Sequence, residues 1–256
     1  MLAGFLSYTR QSTGFFRRVV PKIRFEEVYD HGPSGRFGSI GAHTDRLVSS
    51  YIDMMLPAAT SFSFGYTRAF LRVEDIDFPG LDRGFVYLGS QALRAFGWDL
   101  FIRGGEDVIF DDAVDAGPPL PATFVTASLT TANRPFPPLR IGLDRSTSRV
   151  WRRSATRWRE SRYAESAIPR FKGQLQVDRR LGLRLIGEYR IERFYARSGS
   201  LAAKREGSTD VLVTYLVYPG QSLQLGWSTL ANGDRDVPLR TVARGGVAKL
   251  TYLWRF

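Results

Sequence analysis

The chain has no cysteine, which excludes disulfides and thiolate metal sites and leaves the redox compartment open. It has two histidines, His31 and His43, both in a Gly-rich stretch with loop character, which argues against a zinc site or a histidine-based triad. Lysine is scarce as well. Lys22, Lys172, Lys204 and Lys249 are the only lysines among 36 basic residues, and the rest are arginine. No run approaches the roughly 18 consecutive apolar residues of a membrane-spanning helix. The stretch from Met1 to Arg10 has neither the basic start nor the sustained apolar core of an export signal, and reads as a strand.

What is present is alternation. In Phe62, Phe64 and Tyr66 against Ser61, Ser63, Gly65 and Thr67, aromatics fall on one side and small polar residues on the other. Phe96, Trp98, Leu100 and Ile102 stand in the same way against Gly97, Asp99 and Arg103. The pattern is clearest in the last third, where Phe171, Gly173, Leu175 and Val177 oppose Arg170, Lys172, Gln174 and Gln176. Leu183, Leu185, Gly187, Tyr189 and Ile191 then oppose Arg184, Glu188, Arg190 and Glu192, with Ile186 out of pattern. A period of two is strand periodicity. Charged residues recurring on the polar side of strand after strand suit a water-filled lumen whose charges pair across neighbouring strands.

Connections also alternate. A polar segment at Ala196 to Thr209 and a long one at Asn232 to Gly245 bracket a tight Pro219-Gly220 turn. Outer-membrane barrels have long extracellular and short periplasmic connections, so that turn and the C-terminus are expected on the periplasmic side. Gly105 to Pro121 reads as the longest loop, with Glu106, Asp107, Asp111, Asp112 and Asp115 too irregularly spaced for a calcium loop. Phe78-Pro-Gly80 reads as a turn.

The last residues, Gly246 to Phe256, place Trp254, Tyr252, Leu250 and Ala248 on one face and Arg255, Thr251 and Lys249 on the other. A final strand ending in Tyr252, Trp254 and Phe256 resembles the closing strand of bacterial outer-membrane barrels, which the membrane's assembly machinery reads. More specifically, Val213 to Ser228, Val247 to Phe256 and Leu181 to Arg190 resemble the end of one family of bacterial outer-membrane proteins. In that family a carbohydrate-binding family 9-like domain precedes a C-terminal barrel of unknown function. The resemblance is best over Arg170 to Phe256, with modest departures at Gly220 and Gln221, and it carries over no catalytic residue.

The expected fold is all-β, a single antiparallel transmembrane barrel domain over residues 1–256. About twelve strands are visible, either a complete barrel or the last strands of one of about sixteen. The resemblance implies a C-terminal fragment whose signal peptide and N-terminal domain lie outside the chain. The expected location is the outer membrane of a Gram-negative bacterium, and the expected function is a passive pore or a component of solute or glycan uptake. Arg170, Lys172, Arg184, Glu188, Arg190, Glu192, Lys249 and Arg255 are the candidate lumen residues, and Tyr252, Trp254 and Phe256 the assembly signal. Expected partners are outer-membrane lipid and lipopolysaccharide, the assembly machinery, and an anionic solute or glycan, with no cofactor or metal.

Two other classes compete. A barrel-borne hydrolase would draw on His43, Asp45 and one of Ser39, Ser49 or Ser50, at a spacing that matches no known motif. A soluble basic β-protein would use the charge of +11 and the Arg and aromatic residues between Arg149 and Arg162 to bind nucleic acid. The arginines are scattered along strands rather than gathered in a basic helix or an aromatic RNA-binding motif. Nucleic acid is therefore not an expected partner.

Overall fold

The computed structural model describes residues 2–31, 40–73, 76–109, 119–153, 162–195, 201–218, 221–234 and 237–252, with side chains throughout except at 29–31, 40–44, 73 and 201. These residues form β1 (Leu2–Ser7), β2 (Arg10–Gln11), β3 (Arg18–His31), β4 (Ile40–Leu56), β5 (Thr60–Val73), β6 (Ile76–Leu93) and β7 (Phe96–Ile109). The second half holds β8 (Leu120–Phe136), β9 (Leu139–Arg152), β10 (Arg162–Gln176), β11 (Leu181–Tyr195), β12 (Leu201–Tyr218), β13 (Gln221–Asp234) and β14 (Arg240–Tyr252). No helix occurs among the described residues.

All fourteen strands belong to one sheet in which neighbours in sequence pair antiparallel. The count exceeds the twelve read from alternation partly because β2 is separate from β1 in name only. Ser7 faces Lys22 and Arg10 faces Val19, so both segments keep one register against β3. The sheet thus has thirteen lines, and its two edges, β1 with β2 and β14, run in the same direction. No ladder joins these edges among the described residues. Strands are joined at one end of the sheet across 32–39, 74–75, 110–119, 153–161, 196–200 and 235–239, and at the other across 12–17, 57–59, 94–95, 137–138, 177–180 and 219–220. The longer connections predominate at the first end, with 74–75 and 12–17 the exceptions.

Several segments read as loops are strand. Gly105 to Ile109 finish β7, Leu120 and Pro121 begin β8, and β12 starts at Leu201. Phe78-Pro-Gly80 is not a turn but a bulge inside β6. Ala69 faces Leu81 and Leu71 faces Phe78, leaving two residues of β6 against one of β5. Gly80 takes φ of 71°, a region that suits glycine, and the bulge also accommodates the missing N–H of Pro79. Beneath it Ala69, Phe78, Leu81 and Val108 make a small buried cluster.

Direct cross-strand partners share a face, so the ladders sort the whole sheet into two faces. Ile23, Val48, Phe64, Val86, Ile102 and Leu143 lie on one, together with Leu183, Leu225 and Trp227, and all are exposed, Leu143 and Trp227 by 52% each. Glu27 with Arg46, Arg68 with Asp82 and the arginines around Glu165 pair on this first face, towards the longer connections. The opposite face carries the ion pairs of Lys22, Arg83, Arg170, Lys172, Arg190 and Lys204 and also the buried Ala69, Leu81, Ala122 and Phe124. A few exposed apolar residues, Met55, Leu230 and Val247 among them, sit on this polar face. A sheet in a soluble sandwich hides its apolar face and shows its polar one. This sheet leaves its apolar face exposed as well as its polar one.

Candidate functional site

The polar face is organised in rows. One register line crosses from Lys22 to Tyr51, Gly65, Phe85, Arg103, Thr126, Ser148, Ser166, Glu192 and Lys204, one residue per strand from β3 to β12. The line begins among aromatics and ends among charges.

On β3 to β8 rings dominate. Tyr51 and Phe85 have centroids 6.1 Å apart, and Phe85 and Phe101 5.9 Å apart. Tyr51 and Phe85 stand two strands apart and meet only because Gly65 lies between them. A Cβ there would come within 2.5 Å of both the Phe85 ring and the Tyr51 Cβ. Cations border the rings. The Lys22 ammonium sits 5.1 Å from the Tyr51 centroid and 2.6 Å from Asp53 Oδ2, and the Arg103 guanidinium lies 5.1 Å from the Phe124 centroid. Tyr87 donates its hydroxyl to Asp99 at 2.5 Å.

On β9 to β12 the face is built from charge. Lys172 meets Asp144 at 2.6 Å and Lys204 meets Glu206 at 2.7 Å, whereas Arg170 reaches Glu188 at 3.6 Å and Arg190 reaches Glu188 and Glu206 at 3.9 Å. The Nε atoms of Arg170 and Arg190 are buried without a hydrogen-bond partner. Near the short connections a pocket of about 430 Å³ is lined by Arg134, Arg140, Lys172, Gln174 and Arg184. Arg140 and Arg184 both stand directly opposite Gln174, one on each side. Neither forms an ion pair among the described residues. Two uncommitted guanidinium groups flanking an amide form a receptor for a carboxylate, sulfate or phosphate, since each offers a planar fork of donors.

Of the residues picked out from sequence, Arg170, Lys172, Arg184, Glu188, Arg190, Glu192 and Lys249 share the polar face, Lys249 opposite Gln224. Only Lys172 and Arg184 line the pocket, and Arg170, Glu188 and Arg190 form the network beside it. Arg255, Trp254 and Phe256 lie outside the described residues, and Tyr252 stands opposite Gln221 on the apolar face. Sequence reasoning missed Arg140 and Gln174 as a site. Their alternation was visible, but which strand brings Arg140 beside Arg184 depends on register.

The pieces of a hydrolase do not assemble among the described residues. Ser49 shares a hydrogen bond with Thr67 at 2.9 Å, and Ser50 points to the opposite face. Ser39 lies outside the described residues, as does the side chain of His43. No group of three or more metal-ligating side chains gathers among the described residues. Glu106 pairs with Arg153 at 2.5 Å and Asp107 with Arg83 at 2.8 Å, while Asp111, Asp112 and Asp115 lie outside. Of the Arg-rich stretch, Arg149 and Arg162 converge on Glu165, Arg152 stacks over Tyr163 at 4.9 Å, and residues 154–161 lie outside.

No family model matches this chain, and no curated protein matches it. Among solved structures it is similar to OmpT (in-vitro folded), an outer membrane protein of Vibrio cholerae, at 10% identity and a TM-score of 0.44, over 99% of this chain and 95% of that one.

Proposed function

We propose that this chain forms the wall of a transmembrane barrel in a bacterial outer membrane and acts as a passive pore or uptake component favouring anionic solutes. The observation that carries this is an exposed apolar face. Large apolar side chains are exposed on one face of nearly every strand, where ion pairs gather only towards the longer connections, and on the other face ion pairs recur along the strands. Lipid on the apolar side and water on the polar side satisfy both faces at once, which water on both sides does not. On β11 the apolar side runs from Leu181 to Ile191, and a tilted strand needs about 9–11 residues to cross. The predominance of longer connections at one end fits the same reading, with the other end facing the periplasm.

In this reading the polar face lines the lumen, and the pocket between Arg140 and Arg184 is where an anion is held in passing. Binding there must be weak enough for release, and neighbouring Asp144 and Glu188 temper the positive field. Glycans or other ring-bearing solutes find their counterpart in Tyr51, Phe85 and Phe101.

Reversal potentials across planar bilayers under a salt gradient test the proposal. Wild type is expected to conduct with anion preference, and a variant with both Arg140→Gln and Arg184→Gln to lose most of that preference while still conducting. A cation-selective or non-conducting protein overturns the pore assignment.

A further inference from the structure

The apolar face is not uniform. Across β8 to β11 it carries three parallel rows of unlike character. The row nearest the longer connections holds Val125, Arg149, Glu165 and Arg193, and the next holds Ala127, Thr147, Ala167 and Ile191. The third holds Leu129, Arg145 and Pro169. Because the middle row is mostly small, a trough of about 540 Å³ opens between its neighbours, with Leu100 as a wall. A second hollow of about 580 Å³ continues it towards the short connections, sharing Leu129 and Arg145 and bounded by Leu143, Phe171 and Tyr189. Its floor is open at Gly187, where a Cβ would meet nothing within 4 Å.

Charge at the head of this trough is unbalanced. Arg149, Arg162 and Arg193 share the single carboxylate of Glu165, at 3.8, 3.3 and 3.7 Å, and Glu165 also accepts a hydrogen bond from Tyr195 at 3.2 Å. Across the trough the Arg145 side chain is exposed and makes no ion pair or hydrogen bond among the described residues. A positive head above a long apolar slot is the complement of a molecule with phosphate at one end and hydrocarbon at the other. Arginine forks match phosphate geometry, and acyl chains match a slot walled by leucine and phenylalanine.

The geometry points to a binding site for lipopolysaccharide on the outer wall, with a phosphate of its glycolipid anchor held by Arg149 and Arg193 at the head and one acyl chain lying in the trough. This rests on the membrane-wall reading proposed above. The excess of cations lies towards the longer connections, which that reading assigns to the outer leaflet, and a phosphorylated acylated glycolipid is the occupant whose charge and chains fit both parts.

The test uses the whole chain refolded into detergent micelles doped with lipopolysaccharide, its dephosphorylated form or phosphatidylglycerol, with retained lipid counted by native mass spectrometry. Wild type is expected to retain lipopolysaccharide over both others. Arg149→Gln with Arg193→Gln should weaken retention roughly tenfold or more, and Ala127→Leu with Ala167→Leu should do so with charge unchanged. Equal retention of the dephosphorylated form, equal retention of phosphatidylglycerol, or variants that bind like wild type overturn the site. Failure of wild type to enter micelles as a heat-modifiable β-form overturns the wall itself, and the site with it.

Discussion

The two halves of the polar face solve one problem differently. On β3 to β8 the row through Tyr51, Gly65 and Phe85 closes by ring packing, and cations stand at its margins. On β9 to β12 the same face closes by charge, through Lys172 with Asp144 and the chain from Arg170 to Lys204. Apolar packing is short-ranged and demands shape, so it is sensitive to a single methylene. Pairs between half-exposed charges tolerate loose geometry and contribute little each. In the pore reading proposed above, stability and selectivity are then divided between the halves, the ring side holding the sheet and the charged side setting which ions it faces.

The largest expected effect follows from Phe124, only 5% exposed and under the Arg103 guanidinium. Phe124→Ala is expected to destabilise by about 3–5 kcal/mol, read as the urea midpoint in lipid vesicles. A loss no larger than that of a charge variant breaks the comparison. Next is Gly65→Val, whose branched side chain must displace Phe85 from Tyr51, at a cost of about 1–3 kcal/mol by the same measurement. The same change at Gly187, where the space is open, serves as the control and should cost far less.

Asp144→Asn sharpens the other side. Removing the carboxylate 2.6 Å from Lys172 frees an ammonium beside the Arg140 pocket. Stability should fall by no more than about 1 kcal/mol, while the reversal potential moves towards anions. A large stability loss with unchanged selectivity reverses the division of labour. The smallest effect belongs to the turn between β10 and β11, outside both halves. Asp178 accepts backbone hydrogen bonds from Arg180 at 2.6 Å and Leu181 at 2.8 Å, which hold its carboxyl below the usual value of 3.8. A lowered folded-state pKa means stability present above pH 3.8 and lost as pH falls through the folded value. Asp178→Asn should flatten that acid limb of the unfolding midpoint and leave neutral pH nearly unchanged.

Strands were legible wherever a lipid-like and a water-like side alternate, as in Leu181 to Glu192. They were illegible where both faces are polar. Lys204, Arg205 and Glu206 in β12 carry charge on successive positions, so no period of two survives, although the ladder to β11 continues unbroken. The same holds for Gly105 to Ile109. Phe78-Pro-Gly80 misled for another reason, since a bulge and a turn both require a residue free to adopt positive φ. For the site, residue types were visible and neighbourhoods were not. Arg184 could be assigned to a face from its own strand, but its approach to Arg140 is a property of two registers meeting at Gln174.

The continuity of β1 and β2 has a topological consequence. With thirteen lines in an up-and-down sheet, the two margins are like two one-way streets pointing the same way. Zipping one margin directly to the other would create a parallel seam in an otherwise antiparallel wall, with slanted rather than perpendicular hydrogen bonds. A single additional strand running in the opposite sense would be antiparallel to both margins at once, turning an odd wall into an even cylinder with no free N–H or C=O row left facing lipid.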